Sequence, residues 1–227
     1  NNDTENNGTI TQGTLNTNNH KLTNNGGKTI TVTDTLTNSG EIANSGTLKL
    51  TGSTSNAGTI SGVGTLDLDA DFVNNGTITQ GIIDVASTKV FTNNSTAETT
   101  TTWINNGTVN NDGTLRIQGG TSTSDRVTLG SILYDTTKGS LELKSNGYYS
   151  ANSAITQNIL TNAGDLTAEA QITADVTNTG VMTNNVGVSG NLTNSGNFTN
   201  GANITGNVIN TNGGSLTSAA STLATTA

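Results

Sequence analysis

The sequence predicts an all-β fold, a single-stranded parallel β-helix (β-solenoid) with three short strands per rung of 16–18 residues. Three observations predict it. From Leu160 to Gly213 the chain divides into blocks of sixteen: LTNAGDLTAEAQITAD, VTNTGVMTNNVGVSGN, LTNSGNFTNGANITGN, then VINTNG. Asn162, Asn178, Asn194 and Asn210 share one column, and Gly164, Gly180 and Gly196 follow two places later. Three apolar columns keep the same register: Leu166, Met182 and Phe198; Ile172, Val188 and Ile204; Leu160, Val176, Leu192 and Val208. Finally, proline is absent, as a stacked sheet that uses backbone N–H groups at nearly every position requires.

Taken in order, residues 1–86 carry regular rungs on a longer period. Asn38, Asn56 and Asn74 are eighteen apart, as are Asn6 and Asn24. Ile42, Ile60 and Ile78 follow in step, with Leu48 and Leu66, then Leu50 and Leu68. Asn24 to Asn38 is only fourteen, which predicts a shortened corner there. The decapeptide NNGTITQGTL at Asn6–Leu15 returns as NNGTITQGII at Asn74–Ile83, a sign of internal duplication.

Residues 87–159 break the register and are expected to form irregular rungs of the same solenoid, with loop extensions. The polar run from Asn93 to Thr102 is the expected loop. Regular 16-residue rungs occupy 160–213. In 214–227 the apolar column shrinks to Ala220 and Ala224, giving a terminal rung or tail. At about 4.8 Å per rung, some thirteen rungs would make a rod of about 60 Å.

Asn and Gly recur at the corners because both tolerate positive φ. A stacked Asn can also donate to the amide on one side and accept from the other. Asn162, Asn178, Asn194 and Asn210 are therefore expected to form a structural ladder.

Apolar residues make up 30% and aromatics 3% of the 227 residues, too little for a thick globular core. A solenoid needs less, because each rung fills a narrow interior and stacks on its neighbours. Net charge is −8 with eight Lys plus Arg, which argues against a nucleic-acid partner. No cysteine is present, so neither disulfides nor thiolate metal sites are expected. No run of eighteen apolar residues exists to span a membrane. The chain opens on Asn without a visible signal peptide, as a processed or trimmed fragment would.

Candidate sites are few. Asp67, Asp69 and Asp71 alternate with Leu66, Leu68, Ala70 and Phe72, so the acids face outward. They could hold a hard cation, but a solvated outer face is the simpler reading. His20, the lone histidine, has no partner for a metal or triad site and reads as a surface corner residue. Trp103, Arg116, Arg126, Tyr134, Tyr148 and Tyr149 are the one candidate ligand-contact patch, against a packing role in a wider rung. Asn-x-Ser/Thr triplets are no more frequent than composition alone gives. Thr-x-Thr at Thr29–Thr33 and Thr77–Thr79 suggests an ice-binding face, yet the pattern fades in the regular stretch. Charged residues are 11% and scattered, so a polysaccharide-active enzyme lacks its paired carboxylates. No enzyme activity, no cofactor and no metal are expected.

The units NSGTL at Asn44, NNGTI at Asn74, NNGTV at Asn105, NDGTL at Asn111 and NSGNF at Asn194 resemble the repeats of bacterial autotransporter passengers and filamentous-haemagglutinin-like adhesins. The resemblance spans most of the chain outside about 115–160. It implies a right-handed coil, export, and a place on the bacterial cell surface. The chain shows neither the family's carboxy-terminal barrel nor a clear secretion module. It is expected to act as a rigid stalk or binding surface. Its partners would be a host-surface or biofilm glycan or protein, or copies of itself joined end to end.

Overall fold

The computed structural model describes residues 3–134, 138–211 and 213–218. Among them there is no helix, and parallel strands coil into a β-solenoid of about 12 turns. Each regular turn has three faces. The first is seen at Glu41–Asn44, the second at Thr47–Leu50 and the third at Thr54–Asn56. One turn further on, each pairs in parallel with its counterpart: Ile42 with Ile60, Leu48 with Leu66, Asn56 with Asn74. Long strands such as Thr77–Val85 and Thr96–Asn105 bend across a corner by a register shift and serve two faces.

Strict alternation places every second residue inside. The stretch Thr47–Leu50 shows it: Leu48 and Leu50 are fully buried, while Thr47 and Lys49 are not. Ile30, Leu48, Leu66, Ile83 and Trp103 stack in successive turns on the second face. Phe72 meets Phe91 on the third, with ring centroids 5.9 Å apart. The first-face column runs unbroken from Leu22 to Leu192 and on to the partly buried Val208. Burying one such aliphatic side chain contributes about 1.5–3 kcal/mol, and every turn supplies several. The sixteen-residue register of Leu160–Gly213 is the structural register: Leu166 faces Met182, Met182 faces Phe198, and Ile172 faces Val188.

Asparagine closes the corners. Nδ2 of Asn162 donates to Asn178 Oδ1 at 2.8 Å, Asn178 to Asn194 at 2.8 Å, and Asn194 to Asn210 at 2.7 Å. Each amide in this column donates to the following turn. A second ladder begins at Thr17 and runs through Asn38, Asn56, Asn74, Asn93 and Asn111. A third links Asn184 to Asn200.

Several expectations change. No corner is shortened between Asn24 and Asn38. Asn24 donates to Asn44, in the ladder that starts at Asn6, whereas Asn38 belongs to another corner of the same turn. Two ladders run in parallel, so spacing between consecutive asparagines mixes two columns. The repeated decapeptide falls on different faces for the same reason. Asn6 ends a first-face strand and Asn74 a third-face strand. One sequence unit therefore turns two different corners.

The corner glycines have another cause than φ. Positive φ at non-glycine residues among those described occurs at Asn18, Asn19, Thr88 and Asn146, none of them a ladder asparagine. At Gly76, φ is ordinary, yet a Cβ would lie 2.0 Å from the carbonyl oxygen of Gly58 one turn back. At Gly196 the same holds against Gly180, at 2.0 Å. At these corners close approach between turns demands glycine, whereas Gly62 and Gly190 combine close approach with a positive φ.

The run from Asn93 to Thr102 is no loop. Asn93 is a ladder residue, and Thr96–Asn105 is a ten-residue strand with Ala97 and Thr99 buried. Small inward side chains satisfy the interior, so polar composition misleads there. The excursion lies instead between Ile117 and Val127. It makes the turn from Thr114 to Ser140 26 residues long, and the chain therefore makes about 12 turns, not thirteen. At the end, Ser215–Ser218 pairs with Asn197–Asn200. Ala220 and Ala224 lie outside the described residues.

Candidate functional site

The structure divides the six residues of the sequence-level patch. Trp103 and Tyr149 are interior. Trp103 Nε1 donates to Leu129 O at 3.1 Å, and Asn105 Nδ2 reaches the same oxygen at 3.1 Å. Together they tie the long turn down where the second face has only the short strand Val127–Thr128. The Tyr149 hydroxyl lies 2.9 Å from both Ile117 O and Lys144 O. Its ring fills the space left by Gly119, Gly147 and Gly164, where a Cβ would come within 2.8 Å of Tyr149 atoms. Burial pushes its phenol up to about 12, so it stays a neutral hydrogen-bond donor at physiological pH.

Arg116 lies outside on the first face. Its Nε donates to Glu142 Oε2 at 2.6 Å, one turn on. Tyr134 sits at the third corner, 41% exposed, with Lys138 Nζ 5.6 Å from its ring centroid. Of the six side chains, Arg126 and Tyr148 are the pair brought together at the surface. The Arg126 guanidinium carbon is 5.6 Å from the Tyr148 centroid. Arg126 Nη2 donates to Asp165 Oδ1 at 2.9 Å, and Nη1 to Tyr149 O at 2.9 Å and Asp165 O at 3.0 Å. The fixed fork of the guanidinium thus spans the two turns after its own. Asp165 had no signal in sequence. Its role depends on register, since Asp165 follows Tyr148 in the same outward column.

The acids at 67–71 face outward as expected, but a cation of the chain already stands between two of them. Lys49 Nζ is 2.8 Å from Asp67 Oδ2 and also bonds Asp69. Asp71 Oδ1 accepts from Val90 N at 2.9 Å. Asp84, next to Asp67 in register, completes the cluster. Burial, followed by the charges of Asp67 and Asp69, raises its carboxyl above the ordinary range, against the pull of Lys49. The bonds to Asp67 and Asp69 raise the Lys49 ammonium. Among the described residues no group of three or more His, Cys, Asp or Glu is arranged to hold a metal ion. His20 occupies its corner, with its backbone N–H donating to Thr17 O at 2.8 Å.

Charge elsewhere is arranged as rungs are: Lys21 meets Glu41 at 2.9 Å in register, and Lys144 bonds Glu98. These pairs are partly exposed, so each contributes less than about 1 kcal/mol. Their effect is to leave an outer surface of matched, stacked polar side chains.

The fold and this surface define a β-solenoid repeat protein. Compared with known protein families, curated proteins and solved structures, the chain matches none. No helix among the described residues is long and apolar enough to cross a membrane.

Proposed function

We propose that the chain is an extracellular structural and adhesive segment of a bacterial surface protein, of the autotransporter-passenger or filamentous-haemagglutinin-like kind. It acts as a rigid stalk that also presents a binding surface. One observation carries this reading: the buried first-face column passes without a break through the irregular middle, from Leu115 to Leu141 to Leu160. Loops are added outside a continuous core, so the rod keeps its stiffness while its surface varies. This is the division of labour expected of a display scaffold.

The test is display on a non-adherent bacterium through an unrelated anchor. Adhesion to host cells or to biofilm matrix above that of an empty anchor supports the reading. Adhesion equal to the empty anchor, with the chain folded and exposed to antibody, counts against it.

A second reading is a filament or surface-layer subunit that associates end to end. It is favoured by the parallel backbone pairing that joins each turn to the next, as Leu192 with Val208, a mode of contact that a second copy could continue. Unpaired strand edges invite further pairing. Sedimentation velocity over a wide concentration range separates the two, since a constant monomer excludes the filament.

A further inference from the structure

A groove of about 390 Å³ follows the corner between the first and second faces, across three consecutive turns. Gly147, Gly164 and Gly180 supply one glycine per turn, held without side chains by the close approach of the turn before. Tyr148, Asp165 and Val181 form one wall, as successive partners in a single outward column. Thr121, from the excursion of the long turn, closes one end, and Asn146 stands at the corner. Val181 is 40% exposed, so the far end of the wall is an apolar surface open to a ligand.

The wall is prepared in advance. The Arg126 guanidinium lies 5.6 Å from the centroid of the Tyr148 ring, and that ring is half-buried in the wall. The same guanidinium holds Asp165 through Oδ1, so the carboxylate is oriented and Oδ2 remains an acceptor. Beside this column Thr167, Thr183 and Thr199 stack at one hydroxyl per turn on the same outer face. A partly exposed aromatic ring, an oriented carboxylate, and evenly spaced hydroxyls suit a ligand with an apolar ring face and a rim of hydroxyl groups. That is a pyranose. The open glycine-lined groove, running across three turns, suits an extended chain of such rings. The net charge of −8 disfavours acidic polysaccharides.

We propose that this groove binds a neutral pyranose oligosaccharide lying along the rod axis. One ring stacks on Tyr148, its hydroxyls bond to Asp165 and Asn146, and the next ring covers Val181. The assignment rests on the adhesive reading above and supplies its ligand class.

The experiment uses the full chain and saturation-transfer NMR against cello-, chito-, malto- and manno-hexaoses. Transfer to the ring protons of at least one of them is expected. Loss of a stacking aromatic should weaken binding about tenfold in Tyr148→Ala, and Tyr148→Phe should bind nearly as the parent does. Val181→Glu, a surface change that leaves the core untouched, should abolish binding, and Tyr134→Ala on another corner should leave it intact. No transfer from any of the four sugars overturns the proposal. So does undiminished binding by both Tyr148→Ala and Val181→Glu. If the displayed chain still adheres while the sugars fail to bind, the groove assignment falls and the adhesive reading stands. If sugars bind but the displayed chain does not adhere, the reverse holds.

Discussion

Asn44 Nδ2 donates to Gln80 Oε1 at 2.7 Å, although the two residues are two turns apart. The ladder position between them belongs to Gly62, which has no side chain and a φ of 127°. Glutamine is one methylene longer than asparagine and bridges the gap. The same device recurs in another corner. Asn111 Nδ2 donates to Gln157 Oε1 at 2.7 Å, past the position where Tyr134 turns outward. A ladder can therefore skip a turn, provided its next member has the reach.

Reach is thus predicted to matter more than chemistry at residue 80. Gln80→Asn keeps the amide but should lose the bond, leaving buried polar groups short of a partner. It should destabilise by about 1–3 kcal/mol, nearly as much as Gln80→Ala. Urea titration followed by circular dichroism measures this. Gln80→Asn as stable as the parent would show that the long bridge contributes nothing.

Thr54 stands in the third-face column between Leu36 and Phe72, and its Oγ1 is buried without a hydrogen-bond partner. Thr54→Val replaces the hydroxyl with a methyl of similar size. It should stabilise the protein by about 1 kcal/mol, since a desolvated unpaired hydroxyl costs that much or more. An unchanged or lower melting temperature would contradict this account of the column.

Asn184 begins a ladder. Its Oδ1 is buried and unpaired because the preceding position is Ala168. Asn162 Oδ1 is unpaired for the same reason, with Leu143 before it. Ala168→Asn should extend the shorter ladder backward by one bond, but the new Oδ1 then faces Ala151 and takes over the unpaired position, so stability should change by less than about 1 kcal/mol. Differential scanning calorimetry should show a transition close to the parent's, and a crystal structure should show Nδ2 of the new side chain on Asn184 Oδ1; a large loss of stability would contradict this account of the ladder.

The acidic cluster sets a pH dependence of known sign. The Asp84 carboxyl titrates above its ordinary value in the folded chain. The folded state therefore holds that proton more tightly than the unfolded state. Stability from this group falls as pH rises through the interval between its unfolded and folded values, and its charge costs stability above it. Asp84→Asn should raise the melting temperature at neutral pH and flatten that part of the profile. Lys49 has the same sign at the alkaline end. Its raised ammonium stabilises the fold below the ordinary lysine range, and the gain disappears as pH climbs through the folded value. Because Lys49 and its partners are partly exposed, Lys49→Met should cost no more than about 1 kcal/mol, measured at low salt.

Much of the architecture was legible in sequence because a solenoid repeats its environment. Leu166, Met182 and Phe198 occupy equivalent inward positions, so they recur at sixteen residues. What was not legible was which corner an asparagine turns. Asn24 and Asn38 carry the same motif and stack in different columns, since each corner imposes the same local demands. The run from Asn93 to Thr102 misled because Ala97 and Thr99 fill the interior with side chains that also favour loops. At the candidate site, Tyr148 and Arg126 were visible as residue types worth noting. Asp165 was not, because its place below Tyr148 depends on how many residues the intervening turn consumes.

Every asparagine-to-asparagine bond in the three columns runs the same way, with Nδ2 donating toward the carboxy-terminal turns. The columns are therefore vectors, with oxygen leading at one tip and hydrogen at the other. Two rods that met oxygen tip to oxygen tip would find no donor in register, whereas a nascent turn laid on the hydrogen tip would find its acceptor's partner already aimed. Growth of the coil along that arrow is templated by what lies beneath it, and growth against it is not the same process in reverse.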